Sequence, residues 1–462
     1  MSNIDTSEQA KIKATAPEHE NLGTAKNVAY GLQHVLTMYG GIIAPPLIVG
    51  SAAGLAGPQL GMLIAAALFV GGLATLLQTL GVKYFGARLP LVQGVSFAGV
   101  ATMVAIVTTG GGLPAVYGAV IVASLAGLLL APFFSQIIRF FPPVVTGSVI
   151  TMIGLSLTPV AIRWVMGGNP KAESWGSTAN VGLAVITLVI VMLFSMSKSP
   201  AVRRLAILLS IVCGTVVASL LGYTDFSKVA QGSWVAVPHV FAFGMPAFDV
   251  AAIISMLIVT LVIMTETTAD IIAVGEIVGT SVDSRRIGNG LRADMLSSAV
   301  APVFGSFMQS AFAQNVGLVA ITGIKSRFVV ATGGVILVIL GLLPVMGRLV
   351  ASIPMPVLGG AGLVLFGTVA ASGIRTLGKV DYNIQSNLII VATSIAVGLI
   401  PIVNDEFYAQ FPTWVKTLFH SGISSTCIMA ILLNLLFNHV KLRGFGKQAA
   451  PGMVDLNKLQ GS

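Results

Sequence analysis

Residues 309–323 read Gln-Ser-Ala-Phe-Ala-Gln-Asn-Val-Gly-Leu-Val-Ala-Ile-Thr-Gly and lie among long apolar segments. The stretch is too polar, and too interrupted by glycine, for a helix that faces lipid. Its first half predicts an extended piece, and its second half, from Gly317, predicts a short apolar helix. Extended backbone survives inside a bilayer only where protein or a water-filled cavity covers it. The stretch is therefore a candidate substrate site, although a polar loop that dips toward the membrane surface would show the same pattern.

The composition of the chain indicates a polytopic membrane protein. Of its 462 residues, 55% are hydrophobic and 9% are charged, whereas about 25% are charged in soluble domains. The net charge of +9 does not indicate a nucleic-acid partner, because the basic residues are scattered between apolar segments, where they set topology. Cys213 and Cys427 lie inside apolar segments without the spacing of a metal site, so we interpret them as small core residues.

Apolar segments long enough to cross a bilayer, or shorter and broken, predict an all-α fold of fourteen spans. Most Lys and Arg fall in alternate loops, which predicts a multi-pass membrane protein with both termini in the cytoplasm. The polar tails, 1–26 and 441–462, are expected to be cytoplasmic and exposed, with no cleavable signal peptide, and 223–248 is expected to be an extracellular loop. The predicted spans are 27–49, 59–80, 91–108, 115–138, 143–165, 179–196, 201–222, 249–275, 289–305, 310–323, 327–346, 356–374, 385–403 and 422–439.

An internal repeat relates the two halves of the chain. The segment from Phe141 to Arg163 aligns without gaps on the segment from Ile353 to Arg375, with coincident Pro, Val, Gly, Ile and Arg positions. Each is the fifth span of a seven-span half, and the odd number of spans predicts two inverted repeats. The third span of the first half, around 89–99, then corresponds to 309–323. Short extended strands are therefore predicted in segments 3 and 10, with the helix that follows each strand pointing its N-terminus at a common point.

Three acids are predicted inside spans, where an isolated carboxylate costs roughly 2.5–3.5 kcal/mol. Glu266 and Asp270 are four residues apart and share one helix face. Because like charges at that distance repel, at least one of the two is expected to hold a proton at neutral pH. Asp294 is the third acid. His34, beside Gln33 in the first span, either relays a proton or is a core histidine bonded within the protein.

Several kinds of chemistry have no sequence signal. The chain has no phosphate-binding Gly-Lys-Ser/Thr loop, no Cys/His metal cluster and no nucleophile triad. An enzyme, a cofactor and a metal site are therefore not expected. If transport is active, an ion gradient must drive it.

The sequence resembles the nucleobase–ascorbate transporter family, the nucleobase–cation symporters of the second class, from about Gly31 to Asn438. The family signature is Gln/Glu/Pro, then Asn-x-Gly, four free positions, Thr, and Arg/Lys/Gly. The family's Gln-His pair matches Gln33-His34, and its eighth-span Glu and ninth-span Asp match Glu266 and Asp294. Asp270 stands where many purine members have Asp. The signature itself is met by Gln314, Asn315, Gly317, Thr322 and Gly323.

This resemblance implies an elevator carrier that dimerises through a gate domain. The core domain would comprise 27–138 and 249–350, and the gate domain 139–222 and 351–440. The resemblance also implies that Glu266 and Gln314 hydrogen-bond the base edge and that Phe97 stacks near it. Backbone groups around Ser96 and Asn315 would complete the site, and Asp270, His34 or Glu266 would couple a proton.

With Gln rather than Glu at position 314, the chain resembles the purine-type permeases of the family rather than the uracil type. This resemblance implies xanthine or uric acid as substrate. Ser96 stands where many xanthine members have Asn, so xanthine, urate or both remain open. The alternatives are a permease for uracil or another nucleobase, a receptor, a passive channel, or an anion exchanger of related architecture. An anion exchanger is expected to place a basic residue at the site, and the sequence shows none deep in the predicted spans.

Overall fold

The structure, a computed structural model, describes residues 16–227, 229–230, 233–404 and 406–439. It is almost entirely helical, with two short strands. The main elements are α1 (Thr24–Ala52), α2 (Gly57–Leu80), β1 (Gln93–Val95), α3 (Val100–Ile106), α4 (Gly112–Leu130), α5 (Phe134–Ile137), α6 (Pro143–Val165), α7 (Thr178–Ser195), α8 (Pro200–Arg204), α9 (Ala206–Leu220), α10 (Val250–Val278), α11 (Ser284–Val300), β2 (Gln309–Ala311), α12 (Ala313–Thr322), α13 (Arg327–Gly341), α14 (Pro344–Ala351), α15 (Met355–Leu377), α16 (Gln385–Val403), α17 (Thr413–Phe419) and α18 (Gly422–Asn434).

Each of the fourteen predicted spans overlaps a helix or a strand followed by a helix. Within the described residues, eight helices are long and apolar enough to cross a membrane by themselves, or nine if α13 and α14, bent by 78° at their junction, count as one. The multi-pass membrane character is confirmed, and the number fourteen stays a prediction. The shorter elements include α9, α12 and α18, of which α12 continues directly from a strand.

The helices of the predicted repeat pack against each other in opposite directions. α6 and α15 both have 23 residues, and a constant offset of 212 relates both their first and their last residues. A Cβ on Gly147, near the start of α6, would lie 2.8 Å from the side chain of Leu377 at the end of α15. A Cβ on Gly359 would likewise lie 2.5 Å from the amide nitrogen of Val165. Glycine at both positions lets the two backbones approach closely.

The two strands form an antiparallel pair in which Gly94 lies opposite Ser310. Gln93 pairs with Ala311 and Val95 pairs with Gln309, so a local two-fold axis relates residue i of β1 to residue i + 216 of β2. The flanking bonds follow the same relation, because Ser96 N–H donates to the oxygen of Met308 (2.8 Å) and Phe312 N–H donates to that of Val92 (3.1 Å). The extended pieces predicted in segments 3 and 10 are therefore present.

The helix after β2 begins earlier than the sequence analysis placed it. The expected start was Gly317, whereas α12 begins at Ala313. Once strand pairing ends at Phe312, the backbone has no further partner strand, and only helical bonds satisfy its polar groups. Gln314 thus lies in the first turn of a helix, and Gly317 lies within the helix.

Residues 16–20 contradict the expectation of an exposed N-terminal tail. Glu18 is 3% exposed, and its carboxylate accepts hydrogen bonds from Arg286 Nη2 and from the Thr280 hydroxyl, both at 2.9 Å. Arg286 also donates to the backbone oxygens of Ala87 and Arg88. The segment is therefore fastened to the ends of α10 and α11. The sequence carried no periodic signal for this contact.

Glu18→Gln is expected to lower the free energy of unfolding by about 1–3 kcal/mol at neutral pH, because Arg286 loses its charged acceptor. Burial raises the pKa of Glu18, but the hydrogen bonds and the Arg286 charge outweigh burial and lower it below 4.5. A carboxyl group whose pKa is lower in the folded state stabilises the fold at pH values above its unfolded-state pKa. This stability is lost as the pH falls through the folded-state pKa. Thermal melts should therefore separate variant from wild type at pH 7 and converge in acid. Glu20→Gln, which alters an exposed carboxylate nearby, is the control; equal shifts for both variants would contradict the account.

Candidate functional site

A cavity of about 570 Å³ lies between two groups of packed helices. One group contains α10, α12 and the strand pair, and the other is built around α6 and α15. Pockets of roughly 300–1,000 Å³ hold small organic ligands. The lining residues are Phe97, Ile150, Ile153, Glu266, Ala269, Asp270, Ala273, Ile277, Ser310, Ala311, Phe312, Ala313, Gln314, Val316, Gly317, Ala320, Thr368, Val369, Ser372, Arg375, Thr376 and Lys379.

One wall of the cavity is the acidic face of α10. Glu266, Asp270 and Ile277 recur on this face, because residues three or four apart stack on the same side of a helix. Ala269 and Ala273 lie between them and leave space in front of the carboxylates. The shared face predicted for Glu266 and Asp270 is therefore present.

The floor of the cavity is the junction of β2 and α12. Gln314 and Gly317 both face the cavity, since they are three residues apart on α12. The first amide groups of a helix have no partner within it and carry partial positive charge. Gln314 lies in this first turn. The junction therefore offers backbone donors beside a side-chain amide that both donates and accepts.

Three polar side chains on α10 and α12 line the cavity without a partner in the described part of the chain. Among the described residues, Glu266, Asp270 and Gln314 form no side-chain hydrogen bond or ion pair. Polar groups in such a position cost free energy unless water or a ligand bonds them. Two carboxyl groups and one carboxamide can together match alternating N–H and C=O groups on a planar ligand.

Phe97 supplies an aromatic surface to the same cavity. Its ring centroid lies 6.3 Å from that of Phe312 and 6.2 Å from that of Phe366, both in edge-to-face geometry. Phe366 belongs to α15, so the aromatic contact also joins the two helix groups. The exposed part of the Phe97 ring suits a flat heterocycle.

Asn315 points away from the cavity and braces the strand–helix junction. Its Oδ1 lies 2.7 Å from His34 Nδ1, and its Nδ2 donates to the Pro90 oxygen at 2.6 Å. The residue is fully buried. It thereby ties α1 and the approach to β1 to the first turn of α12.

Ser96 and His34, like Asn315, do not line the cavity. The Ser96 hydroxyl accepts from Ala98 N–H at 3.3 Å and caps the helical turn after β1. The backbone amides of Ser96 and Asn315 donate to Met308 and Phe312. That backbone groups near these residues complete the site stays a prediction.

Asp294 is buried behind the strands. Its carboxylate accepts from the Thr267 hydroxyl at 2.6 Å and from Gln78 Nε2 at 3.3 Å. Thr267 in turn accepts from the amide of Ala311, at 3.4 Å. Asp294 is therefore joined to the cavity floor through Thr267. Gln33, half-buried on α1, does not line the cavity.

The remaining signature residues end α12. The Thr322 hydroxyl donates to the Leu318 oxygen at 2.8 Å. Gly323 follows with φ of +66°, the left-handed conformation that terminates a helix and that glycine adopts without strain. Thr322 and Gly323 thus fix the length of the helix that carries Gln314.

The sequence analysis missed the wall formed by α15. Thr368, Ser372, Arg375 and Lys379 line the cavity opposite α10. Arg375 and Lys379 lie at and just beyond the C-terminal end of α15, after the span predicted at 356–374, so the absence of a basic residue deep in the predicted spans stays a prediction. The predicted span 356–374 stops before Arg375, because the apolar part of the segment ends there. The recurrence of polar residues every three or four positions was the available signal. Within the described residues no cluster of His, Cys, Asp and Glu suits a metal ion.

Comparison with solved structures shows the fold. The chain aligns with the transmembrane domain of the cyanobacterial bicarbonate transporter BicA at a TM-score of 0.57 and 14% identity, covering 89% of this chain and 98% of that one. It aligns with the anion transporter SLC26A9 at a TM-score of 0.59 and 12% identity, covering 93% of this chain and 70% of that one. These similarities place the chain in the same class of membrane fold.

Comparison with protein-family models and with curated proteins shows the family of this chain. A family model labelled Xan_ur_permease, described as a permease family, matches residues 25–407. The uric acid transporter UacT of Escherichia coli K12 is 39% identical over 95% of this chain and 92% of its own. The uric acid permease PucK of Bacillus subtilis 168 is 43% identical, over 88% and 94%. The xanthine permease of the same strain is 39% identical, over 90% and 94%. The chain therefore belongs to the nucleobase–ascorbate transporter family, together with the bacterial uric acid and xanthine permeases.

Proposed function

We propose that this protein is a proton-coupled symporter that imports purine bases, xanthine or uric acid or both, across the plasma membrane. The names of its relatives support a purine substrate. The observation that carries the proposal is the set of unbonded side chains in one cavity. Glu266 and Gln314 line a space large enough for a bicyclic base and have no partner among the described residues.

The base would lie between the α10 wall and the first turn of α12, with Phe97 against its face. Gln314 would pair with an adjacent N–H and C=O of the oxopurine, while Glu266 would bond a ring N–H. A proton on Glu266 or Asp270 would neutralise part of the acidic wall. His34 is fixed by Asn315 and contributes through the position of α12.

We further propose two inverted seven-span repeats that form a core domain (27–138 and 249–350) and a gate domain (139–222 and 351–440). The reciprocal glycine contacts of α6 with α15 and the two-fold register of the strands support the repeats. The position of the cavity between the two helix groups supports an elevator movement of the core along the gate. A homodimer would form through the gate domain, and both termini would be cytoplasmic.

Competition for binding tests the substrate class. Purified protein should bind radiolabelled xanthine or urate, and an excess of either unlabelled purine should displace it. Uracil at the same concentration should displace less than a tenth of the label. Displacement by uracil but not by purines would identify a uracil permease. Displacement by bicarbonate or chloride instead would identify an anion exchanger, which the fold similarity makes the second candidate.

Gln314→Glu is expected to weaken xanthine binding by about tenfold, because a carboxylate cannot donate the hydrogen bond that the carboxamide gives to a ring carbonyl. Inhibition constants for xanthine, urate and uracil in an uptake assay would measure the change. Gln59→Glu, at an exposed position near the start of α2 and outside the cavity, is the matched control. An unchanged substrate profile in Gln314→Glu would contradict direct contact.

A further inference from the structure

The face of α15 that lines the cavity is a polar stripe. Thr368, Ser372, Arg375 and Thr376 lie on this side of α15, because residues three or four positions apart share a helix face. Lys379 continues the stripe in the turn after α15 ends at Leu377. The stripe begins two residues after Phe366, whose ring contacts Phe97. It therefore leads from the aromatic end of the cavity to its open end.

Two cations of this stripe are unpaired. Arg375 and Lys379 are exposed to the cavity, and neither forms an ion pair or side-chain hydrogen bond with another described residue. In the described part of the chain the one ion pair is Glu18 with Arg286. The hydroxyls of Thr368 and Thr376 donate to backbone oxygens of their own helix. Among the described residues, Arg375 and Lys379 are thus the cationic donors of this wall that have no protein partner.

The opposite wall is acidic, which determines what the cations can do for a ligand. The negative charge that remains when one of Glu266 and Asp270 holds a proton repels an anion in the cavity, whereas a neutral base meets no such repulsion. An anionic ligand therefore needs positive charge on the facing wall. Urate is a monoanion at neutral pH, whereas xanthine in slightly acidic solution is largely neutral, and the two share the same bicyclic frame.

We infer that Arg375 and Lys379 are specificity-determining residues that recognise the negative charge of an anionic oxopurine at the open end of the cavity. This inference rests on the proposed purine transport and assigns the charge state of the preferred substrate. The two cations hold urate as the anion, and the Glu266–Gln314 end reads its hydrogen-bonding edge. The positive charges of Arg375, near the end of α15, and of Lys379, just after it, would also stabilise the C-terminus of that helix and help to set the membrane topology. The experiment must separate these roles from recognition.

The test is a comparison of urate and xanthine affinities for the purified full-length protein at slightly acidic pH. Arg375→Gln and Lys379→Gln should each lower the ratio of urate to xanthine affinity by about fivefold, near the upper end for a solvent-exposed charge pair. The double variant should lower the ratio about twentyfold. Arg375→Lys should retain most of the ratio. Added salt should reduce the ratio of the wild type, because it screens exposed charges.

Lys198→Gln and Arg203→Gln are the matched controls. Both residues are exposed and lie outside the cavity. They lie at the junction of the predicted sixth and seventh spans, and Arg375 and Lys379 lie at that of the twelfth and thirteenth, so a cytoplasmic N-terminus would place all four on the cytoplasmic side. An unchanged ratio in the double variant, an equal loss of both purines, or the same change in the controls would overturn the inference and leave the cations a topological role. Failure of the wild type to bind either purine would instead overturn the proposed function, and the inference with it.

Discussion

Glu266→Gln is expected to reduce concentrative uptake of xanthine and urate by about 100-fold, near the upper end for losing a hydrogen bond to a charged group. The substitution preserves the shape of the side chain but removes its charge and its ability to exchange a proton. Glu266 lines the cavity and has no partner among the described residues, so no other protein contact is lost. The effect should therefore fall on substrate binding and coupling rather than on folding.

Initial rates of radiolabelled uptake, normalised to the amount of protein in the membrane, would measure this loss. Glu276→Gln is the matched control, because Glu276 lies on the same helix, is exposed and does not line the cavity. The control should transport at close to the wild-type rate. A Glu266→Gln protein that still accumulates either purine against a gradient would remove Glu266 from the coupling mechanism.

Asn315→Ala is expected to lower both stability and transport. It leaves the Pro90 oxygen and His34 Nδ1 buried without their partner, which costs about 3 kcal/mol in the free energy of unfolding. Because Asn315 follows Gln314 in the first turn of α12, its loss also removes the contacts that hold the Gln314 side chain in place. Displacements of this kind cost roughly tenfold to 100-fold in function. Melting temperature and uptake per folded transporter are the two measurements.

Two further variants define what the Asn315 side chain supplies. Asn315→Asp keeps an acceptor for His34 but cannot donate to Pro90, so it should fall between alanine and wild type in stability. Asn180→Ala removes two bonds from an Asn side chain to backbone oxygens far from the cavity, and should lower stability without changing substrate affinity. Equal transport rates for Asn315→Ala and Asn180→Ala would contradict the account, because the strand–helix junction would then not need the hydrogen bonds of Asn315.

The parts of the fold that local sequence determines were predictable. Long apolar segments gave helix positions to within a few residues, as for α6 and α16. The polar interruption at 309–323 correctly predicted a strand followed by a helix, and the repeat correctly predicted its partner at β1. The common face of Glu266 and Asp270 followed from their spacing alone.

Contacts between distant parts of the chain were not predictable in the same way. The bond between His34 and Asn315 joins residues 281 positions apart, and no local pattern specifies it. The burial of Glu18 depends on where the ends of α10 and α11 lie. Arg375 and Lys379 read as loop residues in the sequence, because their position in the cavity depends on how α15 packs opposite α10.

Uptake of radiolabelled urate and xanthine by a permease-deficient bacterial strain, with and without a protonophore, tests the central claim most directly. Cells that express this protein should accumulate purine above the external concentration. Collapse of the proton gradient should reduce that accumulation to equilibration. Accumulation that persists in the protonophore, or an absence of purine uptake by correctly inserted protein, would contradict proton-coupled purine import.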